Sequence, residues 1–142
     1  MLSTTVMFRV TATLAALAAV RHFMSTTGTG FGLEDDVVID IVQAVDEAVT
    51  NIVMHGYGHN PGPVEIEMTR ETGDLIVRLS DEAPLFDPTT VPTPNLASHF
   101  EPGFGGWGIL MMRTLTDRMS YRSLPAGGNE LTLVKALAIP SP

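Results

Sequence analysis

An α/β domain, one sheet covered on a single face by three helices, is the fold class this sequence predicts. Three observations lead to it: strand-like alternation near both ends of the chain, helical spacing of apolar residues in the stretches between, and turn-linked strand pairs that read as antiparallel hairpins. The chain has 142 residues, 44% of them apolar, which suits one domain around one core. It shows no internal repeat and no interdomain linker.

Thr5 to Val10 alternates apolar and polar side chains and reads as the first strand. A first helix is expected from about Thr13 to Met24, followed by a loop from Ser25 to Gly32. Its alanine-rich run Leu14 to Val20 is too short, and lacks the basic start, for a signal peptide. Glu34, Asp35 and Asp36 then place carboxylates where a helix start favours negative charge. The second helix should continue to about His55 and stop at Gly56. Val64 to Arg70 and Asp74 to Ser80 read as a hairpin turning at Glu71-Thr72-Gly73. From Pro84 to Pro102 lie five of the ten prolines and no regular element, the pattern of a binding loop or lid spanning about 84–104. A third helix follows from about Trp107 to Met119. Strands near Ser120 to Leu124 and Glu130 to Leu137 close the domain.

The formal charge of −8, with Lys135 the single lysine beside seven arginines, leaves no basic surface for nucleic acid. Partners should be proteins or small molecules, with a metal cation able to offset an acidic site. The absence of cysteine excludes disulfides and thiolate chemistry. No apolar stretch approaches a membrane span, so a cytoplasmic location is expected.

Candidate site residues fall into three groups. On the second helix, Val38, Ile41, Val42, Val45, Val49 and Ile52 share a core face, while Glu47, Asn51 and His55 stack at i, i+4 and i+8 along another, interleaved with Ala44 and Ala48. Spacing alone suits a solvated face, but Val37 to Met54 contains no lysine or arginine, and the alanines leave room for a ligand to approach. An asparagine offers magnesium a neutral oxygen, and a glutamate one turn away can accept a proton. Second, Gly103 to Gly108 matches the dinucleotide pattern G-x-G-x-x-G, yet a proline-rich loop precedes it instead of a strand, so that reading fails. Glycines opening a helix still expose N–H groups that suit phosphate, or simply form a flexible turn. Third, Asp81 ends a hairpin strand, as a turn former or as an acceptor for an exocyclic amine.

In order and spacing these pieces resemble the GHKL ATPases, a family that includes histidine-kinase catalytic domains and gyrase- and Hsp90-like ATPases. Asp46 to Tyr57 resembles the family's N box, Asp81 to Asp87 its G1 box, Gly105 to Leu110 its G2 box, and Gly128 to Leu133 its closing strand motif. The Glu-Ala-x-Thr-Asn-x-x-x-His-x-Tyr form of the N box and the short lid are most similar to bacterial anti-sigma serine/threonine kinases. The resemblance implies a Bergerat-type two-layer sandwich, with a mixed, mostly antiparallel sheet and three helices on one face. It implies Glu47 as catalytic base, Asn51 as magnesium ligand, Asp81 as the adenine-reading acceptor, and Gly105, Gly106 and Gly108 around the phosphates. The same boxes put His55, Ala83, Phe86, Trp107, Ile109 and Thr132 among the ATP-binding residues.

The activity so implied is Mg-ATP-dependent phosphorylation of a STAS-type anti-anti-sigma protein, with a sigma factor as a further partner and a homodimer as the assembly. Two alternatives stay open: a module that binds ATP only to control a partner, and a detached histidine-kinase catalytic domain, for which His22 and His59 read better as surface residues than as phospho-acceptors. The chain departs from the family pattern in three places. Ala83 stands where glycine is usual, Asn129 where threonine is common, and the lid carries His99 but no lysine or arginine.

Overall fold

The computed structural model describes residues 3–92 and 106–138. Five strands and three helices follow one another as β1 (Thr4–Thr11), α1 (Leu17–Gly30), α2 (Asp35–Asn51), β2 (Pro63–Glu71), β3 (Asp74–Asp81), α3 (Gly106–Leu115), β4 (Arg118–Ser123) and β5 (Asn129–Ala136). The strands form one sheet in the order β1-β2-β3-β5-β4. Each of its pairings is antiparallel, so the mixed character expected of the sheet is absent among the described strands.

Alternation along the strands sends one set of side chains under the helices. Val64, Ile66 and Met68 of β2, Leu75, Val77 and Leu79 of β3, and Leu133 of β5 are all fully buried there. Against them pack Val20 and Met24 of α1, Ile41, Val45 and Val49 of α2, and Ile109 and Met112 of α3. Each such side chain contributes about 1.5–3 kcal/mol on leaving water, which is what holds the helical layer on this face. The opposite face carries cross-strand ion pairs, Arg78 with Glu67 at 3.1 Å and Arg122 with Glu130 at 2.9 Å among them.

Two boundaries differ from the sequence expectation, and tertiary contacts explain both. The segment expected as a loop from Ser25 is helical to Gly30. Gly28, a poor helix former, is buried where α1 meets α2; a Cβ there would stand 3.2 Å from Val38 Cγ2, so the missing side chain permits the close crossing. At the other end, α3 stops at Leu115 and Met119 belongs to β4. The Asp117 N–H donates to the Val134 carbonyl at 2.8 Å, and Lys135 Nζ donates to the Leu115 carbonyl at 2.9 Å, so β5 takes up groups that a longer helix would have used itself.

After Asn51 the helix widens into a π-helical turn over Ile52–Gly56, closed by the Tyr57 N–H donating to the Ile52 carbonyl at 2.8 Å. Tyr57 then pins the turn. Its hydroxyl donates to the Pro63 carbonyl at 2.7 Å and accepts from the Glu82 N–H at 2.8 Å, joining the end of α2 to the ends of β2 and β3.

Candidate functional site

The inward-facing ladder across β3 and β5 runs Val77 opposite Leu133, Leu79 opposite Leu131, and finally Asp81 opposite Asn129. Two apolar rungs are thus followed by a polar one at the rim of the core. Asp81 and Asn129 are each only 7% exposed. A narrow cleft, partly open to solvent, begins at this rung. Its walls come from the last turn of α2 (Ala48, Asn51), the π-turn (Ile52, Gly56), Pro84 and Phe86 after β3, Met112 of α3 and Tyr121 of β4.

The Asp81 carboxylate accepts at Oδ1 from the Ala83 N–H and from the Asn129 amide, both at 2.9 Å. Burial pushes its pKa above the ordinary carboxylate value, and those two hydrogen bonds offset only part of the effect. The result is an acceptor in a largely apolar wall, the arrangement that orients a ligand with a hydrogen-bond donor.

On α2, Glu47 and Asn51 project one turn apart toward the start of α3. A Cβ on Gly108 would lie 2.8 Å from Glu47 Oε2 and 3.8 Å from Asn51 Oδ1, so the glycine lets the two helices bring both side chains to the N-terminal turn of α3. That turn carries the positive end of the helix dipole, which favours a negatively charged group. The Glu47 pKa is raised by desolvation and, secondarily, by the neighbouring Asp46 carboxylate. Asp46 is itself held by Arg21 at 2.7 Å. Among the described residues Asn51 Nδ2 is buried without a hydrogen-bond partner. A buried amide left unpaired costs about 1–3 kcal/mol, so this one points to a bound group that completes it.

The unpaired atom is an N–H donor and suits a phosphate oxygen, while Oδ1 of the same amide faces the start of α3, where magnesium on those phosphates could be met. Among the described residues no three His, Cys, Asp or Glu side chains gather as a metal cluster. Magnesium bound through one protein oxygen, with water and phosphate oxygens for the rest, needs no such cluster, and Asn51 Oδ1 can supply that oxygen.

The structure brings Glu47, Asn51, Asp81, Phe86 and Gly108 to this region, opens α3 at Gly106, and separates several other residues from it. His55 is exposed and does not line the cleft, because the wide π-turn carries position 56 to where an α-helical turn would have carried 55. Gly56 lies there instead, and a Cβ on it would come 3.3 Å from Ala83 Cβ. Ile109 is in the core, 1% exposed, so its side chain packs under the sheet and away from a ligand. Thr132 alternates with the inward Leu131 and Leu133 and therefore faces the opposite side of the sheet. Ala83 is buried behind Asp81 and contributes its N–H there. Trp107 is half-buried in the first turn of α3. Gly105, His99 and most of the lid lie outside the described residues.

Met112, Tyr121 and Asn129 line the cleft without having been expected to. Asn129 left a signal, a polar residue at an inward strand position, but only the register with Asp81 shows its use. Tyr121 and Met112 read from sequence as ordinary strand and helix residues.

No helix among the described residues is long and apolar enough to cross a membrane. A family model described as the histidine kinase-like ATPase domain matches residues 10–135. The chain is 31% identical over 112 residues to an anti-sigma F factor of Bacillus licheniformis, covering 72% of each chain. It is 26% identical over 129 residues to the anti-sigma F factor of Clostridium acetobutylicum, covering 82% of this chain and 85% of the other. A crystal structure of the RsbU and RsbW domains of a Mycobacterium tuberculosis protein superposes with a TM-score of 0.69 at 22% identity, over 97% of this chain and 34% of that one. The present chain thus spans about a third of that longer protein, and the likeness concerns the fold. With a family model covering most of its length, the chain belongs to the histidine kinase-like ATPase domain family, a membership that implies ATP binding.

Proposed function

We propose that the chain is an anti-sigma-type serine/threonine protein kinase that uses Mg-ATP to phosphorylate a STAS-type anti-anti-sigma protein, and that a sigma factor is its second partner. The observation that carries this reading is Asn51 Nδ2, buried and unpaired among the described residues beside Glu47 and Gly108, a donor that suits a phosphate oxygen. Adenine would lie in the apolar cleft with its amine toward Asp81, and the phosphates would reach the first turn of α3. Magnesium, held by Asn51, would supply positive charge to the phosphates. Glu47 is the group placed to take the proton of an incoming serine hydroxyl, and its raised pKa makes it a better base than an ordinary surface carboxylate. The anti-sigma F factor names of the relatives support the choice of partners.

The test is transfer of labelled phosphate from ATP to candidate STAS proteins by the purified chain, with Glu47→Gln as control. Transfer by the wild-type chain and nucleotide binding without transfer by the variant are expected. Equal transfer by both would remove Glu47 from its role.

A second reading, a module that binds ATP only to control a partner, is favoured by one feature. Residues 84–104 contain no lysine or arginine, and Arg113 of α3 is occupied by the Thr89 carbonyl at 2.9 Å. Phosphoryl transfer depends on positive charge at the departing phosphate. Tight Mg-ATP binding with no transfer to any STAS partner would establish that reading.

A further inference from the structure

Asn129 makes five hydrogen bonds from a nearly solvent-free position. Its Nδ2 lies 2.9 Å from Asp81 Oδ1, 3.2 Å from the Ala83 carbonyl and 3.1 Å from the Pro84 carbonyl. Its Oδ1 accepts from the Phe86 N–H at 3.0 Å and from the Tyr121 hydroxyl at 2.5 Å. Three acceptors surround the nitrogen and two donors the oxygen, so the amide has one satisfactory orientation; the flipped amide would oppose like groups on both sides.

Two consequences follow for the cleft. First, among the described residues the two donors to Asp81, Asn129 and the Ala83 N–H, both fall on Oδ1. This fixes the rotation of the carboxylate and leaves Oδ2 for a ligand. Second, the same amide ties the backbone of Ala83, Pro84 and Phe86 to β5, and Pro84 and Phe86 are cleft walls. Gly128 makes this possible: at φ +98° it brings the chain so close to β3 that a Cβ would stand 2.0 Å from the Asp81 carbonyl oxygen.

We propose that Asn129, held by Tyr121, is the positioning residue that sets base specificity, by committing one Asp81 oxygen to the protein and presenting the other to the exocyclic amine of the nucleotide. The inference rests on Asp81 as the reader of that amine. No residue type but an amide serves all five partners. A carboxylate at 129 would repel Asp81 and both carbonyls, and a hydroxyl carries one donor where this site uses two.

The decisive quantity is the ratio of affinities for Mg-ATP and Mg-ITP, which differ at the position where adenine has an amine and hypoxanthine an oxygen. The wild-type chain should prefer ATP by about tenfold or more, the cost of opposing two acceptors in a buried site. Asn129→Ser should lower that preference by about tenfold, and Tyr121→Phe, which removes only the hydroxyl behind the amide, by about threefold. A merely structural role would weaken both nucleotides alike and leave the ratio unchanged, which would overturn the proposal. Should Asn129→Ser lack a cooperative thermal transition, Tyr121→Phe decides alone, an unchanged ratio again overturning it. A wild-type chain that binds both nucleotides equally would overturn the Asp81 reading and this inference together, while leaving the kinase proposal to its own transfer assay.

Discussion

Gly108→Ala separates the stability of this fold from the chemistry of its site. The new methyl group would sit 2.8 Å from Glu47 Oε2. Ordinary non-bonded contact requires about 3.5–4.0 Å, so the carboxylate must retreat by about 1 Å. Overpacking a rigid core costs about 1–3 kcal/mol, but here the yielding atom is the far end of a flexible, half-buried side chain, which places the cost at the low end. Replacing glycine by alanine in a helix returns up to about 1 kcal/mol. The two nearly cancel, and a net change within about 1 kcal/mol corresponds, for a chain of 142 residues, to a melting shift of at most about 4 °C. Catalysis has no such compensation. Moving a general base by about 1 Å reduces transfer by about 100-fold, or about 2.7 kcal/mol of barrier. The assay pairs thermal unfolding with labelled-phosphate transfer to a STAS substrate at saturating Mg-ATP. A variant that melts near wild type and transfers at the wild-type rate would refute the placement of Glu47 against the α3 turn.

Asn51→Ala should weaken Mg-ATP binding by about tenfold or more while leaving the nucleotide-free chain as stable or up to about 1 kcal/mol more so, because a buried unpaired donor is removed; calorimetry and urea unfolding measure the two. Glu47→Gln tests the electrostatics. A carboxylate whose pKa is raised in the fold binds its proton more tightly there than in the unfolded chain, so its contribution to stability is full below the ordinary carboxylate range and is lost as pH rises through the raised value. The variant should therefore gain melting temperature over wild type at neutral pH, with the gain vanishing in acid; a pH-independent difference would contradict the burial of Glu47. Gly128→Ala should destabilise the chain by about 3 kcal/mol or more, since both the left-handed φ of +98° and the 2.0 Å approach to a backbone oxygen exclude a side chain. A urea midpoint close to wild type would show that the β4–β5 turn is built differently.

The fold class was legible because amphipathic period and turn chemistry act over short stretches of chain. The alternation of β2 and β3, the turn at Gly73 with its φ of +87°, and the acidic start of α2 are all local signals, and all appear where the residues indicate. That Glu47 and Asn51 share one face of α2 was legible for the same reason, their spacing on one helix. Positions set by a partner distant in sequence were not. Nothing near Gly28 says that Val38 needs its space, and nothing near Leu115 says that Lys135 will cover its carbonyl. A helical period carried through to His55 cannot foresee the π-turn that Tyr57 pins to the ends of β2 and β3. The pairing of Asp81 with Asn129 depends on the register of β3 with β5, and a shift of β5 by one residue would have turned Asn129 outward. The sequence by itself determined the class of fold and the residue types available to a nucleotide. Only the tertiary structure decided which of them share a cleft, because strand register and helix crossing are settled by packing between segments that the chain brings together only when folded.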